Sequence, residues 1–187
     1  MKYTTIDEVE NYLLINIETS FQPQVVKWIE QVEKHIDQRT GRNFVADDED
    51  TERKYDGDGT DKLLIDDFVS ISKVEIDETE IDSEDYYFYP ANSECKNRIE
   101  LDASLFSKGR QNVKITGKWG YSVAVPDDIM FAATVLVSGI INFSNQAEGE
   151  VRTMSIGSYS VTYKDKQEWQ DFERVADILK GYKKFVF

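Results

Sequence analysis

The sequence predicts an α+β fold: a helical core made of an N-terminal helix pair, a central buried helix and a C-terminal helix, with an inserted antiparallel β-sheet and a late β-hairpin. Three observations predict it. Apolar residues recur at helical spacing near both ends of the chain, the stretch from about 50 to 120 breaks into short β-prone runs, and the segment from Ile129 to Phe143 is apolar almost all round.

The first helix opens at a capping box, Thr5 as N-cap with Glu8 three residues on, and Ile6, Val9 and Leu13 then share a face. A second, longer helix begins near Pro23, which a first helical turn tolerates because its missing N–H has no partner there. Val25, Ile29, Val32 and Ile36 form its apolar stripe, and Gly41 in QRTGRNF supplies the stop. The runs KLLID, VSISKVEID, DYYFY, RIEL and NVKITGKW follow, divided by DGDGTD and SKGRQN, and read as strands of a small antiparallel sheet. Pro126 opens the third helix, with Asp127 and Asp128 at the positive end of its dipole. VRTMSIGSYSVTY, with Val151, Met154, Ile156, Tyr159 and Val161 around a Gly-Ser turn, predicts a hairpin with apolar residues facing both ways. Asp165 and Glu168 are expected to cap a last helix striped by Phe172, Val175, Leu179 and Tyr182.

A length of 187 residues suits one domain, here divided as N-terminal helices over 1–49, a β insertion over 50–120, and central helix, hairpin and C-terminal helix over 121–187. The only cysteine, Cys95, excludes an internal disulfide and a cysteine cage, and fits a reducing compartment such as a cytosol. Against 36 acidic residues stand 22 Lys and Arg, so a formal charge of −14 argues against tight binding to nucleic-acid backbones. The charged start MKYTTIDEVE lacks the apolar run of an export signal, and Ile129–Phe143 is too short to cross a bilayer, so no membrane role is expected.

Candidate chemistry is sparse. DGDGTDKLLIDD, from Asp56 to Asp67, places Asp56, Asp58 and Thr60 at alternating positions like a calcium loop, but Asp61 stands where that loop needs glycine, and strands flank it. A turn between strands is the simpler reading. His35, the sole histidine, has no second histidine to build a metal site or triad with. Cys95 is expected in a polar loop, NSECKNR, without a histidine nearby in sequence. The pairs Asp47/Asp48, Asp66/Asp67 and Asp127/Asp128 offer close carboxylates for acid–base work, yet such pairs arise readily in so acidic a chain. YYFY at 86–89 reads as a strand with Tyr86 and Phe88 on one face and Tyr87 and Tyr89 on the other, the outward pair suiting an interface better than a base- or sugar-stacking platform. No catalytic residue, cofactor site or metal site is therefore assigned.

The order of elements carries more information than any single residue. A short capped helix, a helix ending TGRNF, a YDGDG turn, strands, then GYSVAVPDDIMFAATVL and a last helix ending LKGYKKF together resemble the phage head–tail connector, or head-completion adaptor, family over nearly the whole chain. The β segment is longer than in that family's most helical members, so roles carry over by segment. The resemblance implies a non-enzymatic virion protein of the head–tail neck, assembled in the host cytoplasm. It implies a dodecameric ring beneath the portal protein that extends the DNA channel and meets a stopper or tail-completion protein. Duplex DNA would pass through without tight binding. GYKKFVF, with Tyr182, Lys183, Lys184, Phe185 and Phe187, reverses the local charge and is the candidate portal-docking segment. The hairpin residues Val151, Met154, Ile156, Tyr159 and Val161 are the candidate contact with a neighbouring subunit or the stopper. Competing readings are a tail-completion or terminator protein and, in a different class, a calcium-dependent carbohydrate-binding module or a carboxylate-dependent hydrolase.

Overall fold

A computed structural model describes residues 3–144, 152–156, 159–163 and 166–184. It has the expected α+β composition, in two compact units: Met1–Gly41 with Val125–Phe187, and Arg42–Ala124.

The helical unit contains α1 (Ile6–Leu13), α2 (Gln22–Thr40), α3 (Asp127–Ser144) and α4 (Lys166–Gly181), with the two-stranded ribbon β7 (Arg152–Ile156) and β8 (Tyr159–Tyr163). Thr5 caps α1 by accepting a hydrogen bond from the Glu8 N–H at 3.2 Å. Gly41 ends α2 in the left-handed conformation, φ 70°, where a Cβ would be strained. The predicted stripe of α2 is buried at Val25, Ile29, Val32 and Ile36. α3 is the hub, packing on α1, α2 and α4, and its residues from Ala132 to Gly139 are all buried. A helix apolar on every side loses that surface to solvent only when surrounded, which explains its central place. Polar contacts tie these helices: the Thr4 and Thr134 hydroxyls share a buried hydrogen bond of 2.7 Å at α3, and from α1 Tyr12 Oη donates to Asp171 Oδ2 of α4 at 2.8 Å. At the chain start, Tyr3 donates its N–H to Glu33 Oε1 and its hydroxyl to Asp37 Oδ1, each at 2.5 Å. Phe172, Val175 and Leu179 of α4 are buried as the stripe predicts, whereas the expected cap at Asp165 lies outside the described residues.

The β unit is a six-stranded antiparallel sheet of β1 (Thr51–Gly57), β2 (Lys62–Ile76), β3 (Thr79–Glu80), β4 (Tyr86–Tyr89), β5 (Lys96–Leu101) and β6 (Gly109–Trp119). Its order is β1-β6-β2-β5-β4, with β3 paired to β2. KLLID and VSISKVEID, read from sequence as separate runs, are one strand of 15 residues. Register shifts between Leu64 and Phe68, Phe68 and Ser70, and Ile71 and Lys73 bend it. Its first part therefore pairs with β5 and its second with β6, so one strand serves two stretches of sheet. Between them lies a core of Leu63, Ile65, Phe68, Val74, Ile76, Tyr86, Ile99, Leu101, Phe106, Val113, Ile115 and Trp119. Trp119 is buried with its indole N–H donated to the Thr51 carbonyl at 2.8 Å, which satisfies its one polar group.

The segments that enter and leave this unit are zipped together. Ala46 donates to Ser122, Asp47 to Trp119 and Tyr121 to Asn43 through the backbone, at 2.8–2.9 Å. Gly120, at φ 150°, lets them approach, since a Cβ there would lie 2.4 Å from Ala46 Cα. Beside this zipper Arg42 Nη1 meets Asp67 Oδ2 at 2.6 Å, the side chains being 16% and 5% exposed, and the guanidinium lies over the Tyr121 ring at 5.3 Å.

Candidate interaction surfaces

The C-terminal segment leaves α4 with Tyr182 half-buried and Lys183 exposed, and the Lys184 N–H donates to the Thr40 carbonyl at 2.7 Å. The last turn of α2 therefore holds the chain up to Lys184. Phe185 and Phe187 lie outside the described residues.

In the hairpin the register pairs Met154 with Val161 and Ile156 with Tyr159, which puts these four positions on one face of the ribbon. β8 runs beside α3 and α4. Val151 and the Gly-Ser turn lie outside the described residues.

The DGDGTD segment is a connection between strands, but not a hairpin, because β6 separates β1 from β2 in the sheet. The carboxylates of Asp56 and Asp58 are committed to the fold. Asp58 Oδ1 accepts from the Thr60 N–H and hydroxyl at 2.9 and 2.8 Å, and these bonds hold its carboxyl below the usual range. Asp56 Oδ1 accepts from the Gln111 N–H at 2.6 Å. Asp67, the would-be twelfth ligand, pairs instead with Arg42. Among the described residues no group of three or more His, Cys, Asp or Glu side chains is arranged to hold a metal ion.

The other candidate groups also separate. Asp66 accepts from Arg53 Nη1 at 2.8 Å and from the Tyr55 hydroxyl at 3.1 Å, while its neighbour Asp67 turns to Arg42, so the two carboxylates do not converge. His35 is half-buried on α2, and burial first, then the Arg39 charge, push its pKa below the ordinary value. Cys95 lies in the loop before β5, as expected, but is buried there, with its Sγ 3.9 Å from Arg42 Nη1. The sequence neighbours of Cys95 are polar, but the fold closes Arg42 over it. Among the described residues no helix is long and apolar enough to cross a membrane.

YYFY behaves as its alternation predicts: Tyr86 is buried, Phe88 packs on Phe68 at 5.2 Å between ring centroids, and Tyr87 is exposed. Register sets Tyr87, Glu100 and Lys62 in one row across β4, β5 and β2, and Tyr89, Arg98 and Leu64 in another, so these residues tile the outer face of the three strands. Leu64 is 60% and Tyr87 52% exposed. Arg98 lies over the Tyr89 ring at 4.9 Å and 2.9 Å from Glu100 Oε1. Sequence reasoning took Tyr87 and Tyr89 as outward but missed Leu64, Lys62 and Arg98, which only strand register brings alongside.

Sequence and fold both have known counterparts. The sequence model of the head completion protein family matches residues 2–185. No curated protein matches the sequence. Among solved structures, the fold resembles a chain in the neck of an empty gene transfer agent particle computed with C6 symmetry, with a TM-score of 0.59 and 12% identity over 97% of this chain and 90% of that one. It resembles equally a chain in the virion of a native gene transfer agent particle, with a TM-score of 0.58 and 13% identity over 97% and 90%. A third, from a native particle's neck computed with C12 symmetry, gives 0.58 and 12% over 97% and 89%. With a family match spanning both the helical unit and the β unit, the chain belongs to the head completion protein family.

Proposed function

We propose that this chain is the adaptor subunit of a ring, a dodecamer in the assembled virion, that docks beneath the portal protein, extends the DNA channel and receives the stopper or tail-completion protein. The observation that carries the reading is the head completion family match over residues 2–185. The C6 and C12 symmetries of the neck structures with a similar fold support a ring. The excess of 36 acidic over 22 basic residues suits a conduit, because each phosphate neutralised by a lysine or arginine would add affinity that resists DNA passage. The purified ring should accordingly leave duplex DNA unbound at physiological salt.

Portal docking is assigned to Tyr182, Lys183, Lys184, Phe185 and Phe187, a basic and aromatic segment in an acidic chain. Because Lys184 is tied to Thr40, the clean test is removal of residues 185–187 together with Lys183→Glu, which spares that hydrogen bond. Portal-bearing heads should then fail to retain the subunit while its melting temperature is unchanged; normal retention overturns the assignment. The hairpin positions Val151, Met154, Ile156, Tyr159 and Val161 are assigned to the stopper or a neighbouring subunit. Met154→Asp with Ile156→Asp should block ring formation or tail joining, and particles of normal morphology carrying both substitutions would reject that role.

A further inference from the structure

We infer that the outer face of β5, β4 and the first half of β2 is a subunit–subunit contact of the ring, and that it receives the Asp48–Asp50 segment of a second copy of this chain. The inference rests on the ring reading above and adds the surfaces that close it. A ring of one chain uses a head-to-tail interface, so each subunit must carry two different, complementary patches. One is this face, where Leu64 and Tyr87 stand exposed without packing partners on the sheet's own core side. They flank the cations Lys62 and Arg98, which share the single carboxylate of Glu100 at 3.5 and 2.9 Å. Tyrosine and arginine, here Tyr87 and an Arg98 stacked on Tyr89, are residue types enriched at interface centres, and the exposed Leu64 adds apolar area. In a chain with a formal charge of −14 such a face is a local reversal, and it complements an acidic partner.

The same chain supplies one. Asp48, Glu49 and Asp50 are exposed, consecutive and absent from the ion pairs of the described residues, and they lead into β1, at the other end of the strand order from β4. Patches at opposite ends of one sheet's order are what a head-to-tail repeat requires. A second copy is therefore favoured over a different neck protein: the complementary charge is already present in every subunit.

The test is charge reversal with rescue, read as the amount of full-length chain recovered on assembled particles and as ring occupancy by electron microscopy. Lys62→Glu with Arg98→Glu should lower recovery at least tenfold. Adding Asp48→Lys, Glu49→Lys and Asp50→Lys to the same chain should restore it. Melting temperatures of each variant guard against misfolding. Leu64→Ser with Tyr87→Ser, which alters exposed side chains only, should also lower recovery about tenfold. Unchanged recovery in both variants overturns the contact, and loss without rescue overturns the second copy as occupant in favour of another neck protein. In either case a wild-type ring seen at the neck leaves the adaptor reading standing, whereas absence of the wild-type chain from any ring removes that reading itself.

Discussion

Replacing Asp67 by asparagine tests how the β unit holds its entry and exit strands. The carboxylate is 5% exposed and its Oδ2 lies 2.6 Å from Arg42 Nη1, itself only 16% exposed. Asparagine keeps the shape and an acceptor oxygen but leaves the guanidinium buried without its counter-charge. Removing one partner of such a pair costs about 3–5 kcal/mol, against about 0–1 kcal/mol for an exposed pair. Retention of an acceptor puts Asp67→Asn at the lower end, about 3 kcal/mol. Arg42→Ala belongs at the upper end, since it strands the more deeply buried partner and also loses the stacking on Tyr121. The double replacement Arg42→Met with Asp67→Leu removes both charges together and should cost much less than either single change. The assay is urea denaturation followed by Trp119 fluorescence in a Trp28→Phe, Trp169→Phe background, so that the probe sits in the core of the β unit. With an m-value of about 2 kcal/mol/M, Asp67→Asn should move the midpoint down by about 1.5 M. A loss below about 1 kcal/mol, or singles and double that simply add, would refute the argument that the pair is buried and coupled.

Three further outcomes follow from single residues. His35 has a folded pKa depressed by burial, so the unfolded chain binds more protons just below pH 6.5; stability is full above the ordinary histidine pKa and falls as pH drops through the folded value. His35→Gln should flatten that slope between pH 7 and 5 in thermal melts, and an unchanged slope would contradict it. Gly120→Ala should destabilise by about 2 kcal/mol or more, because the new Cβ collides with Ala46 at a positive φ, and a melt within about 0.5 kcal/mol of wild type would show that the zipper yields easily. Thr5→Ala removes the cap on α1 and should cost about 1 kcal/mol, read by calorimetry together with faster amide exchange in the first turn of α1.

Local chemistry was legible where local rules decide. Thr5, Pro23 and Gly41 marked helix ends, and the stripe from Val25 to Ile36 named the buried face of α2, because caps and periodicity act within one or two turns. α3 could be placed at the centre from composition alone. What stayed hidden depends on pairing between distant residues. The bend that makes KLLID and VSISKVEID one strand is set by partners in β5 and β6, dozens of residues away. Arg42 and Asp67 are 25 residues apart and meet only in the folded unit. The same holds for the outer face of β2, β5 and β4: Tyr87 was recognised as outward, but Leu64 and Arg98 join it through register. The loop at Cys95 was legible but its burial was not, because its sequence neighbours are polar while its spatial neighbours enclose it.

The central claim is that this chain closes the head and joins it to the tail. Electron microscopy of particles assembled with and without it tests this most directly. With the chain present, a ring of its density should sit between portal and tail. Without it, heads should be tailless and should lose their DNA. Tailed, DNA-filled particles of normal yield in its absence would contradict the account.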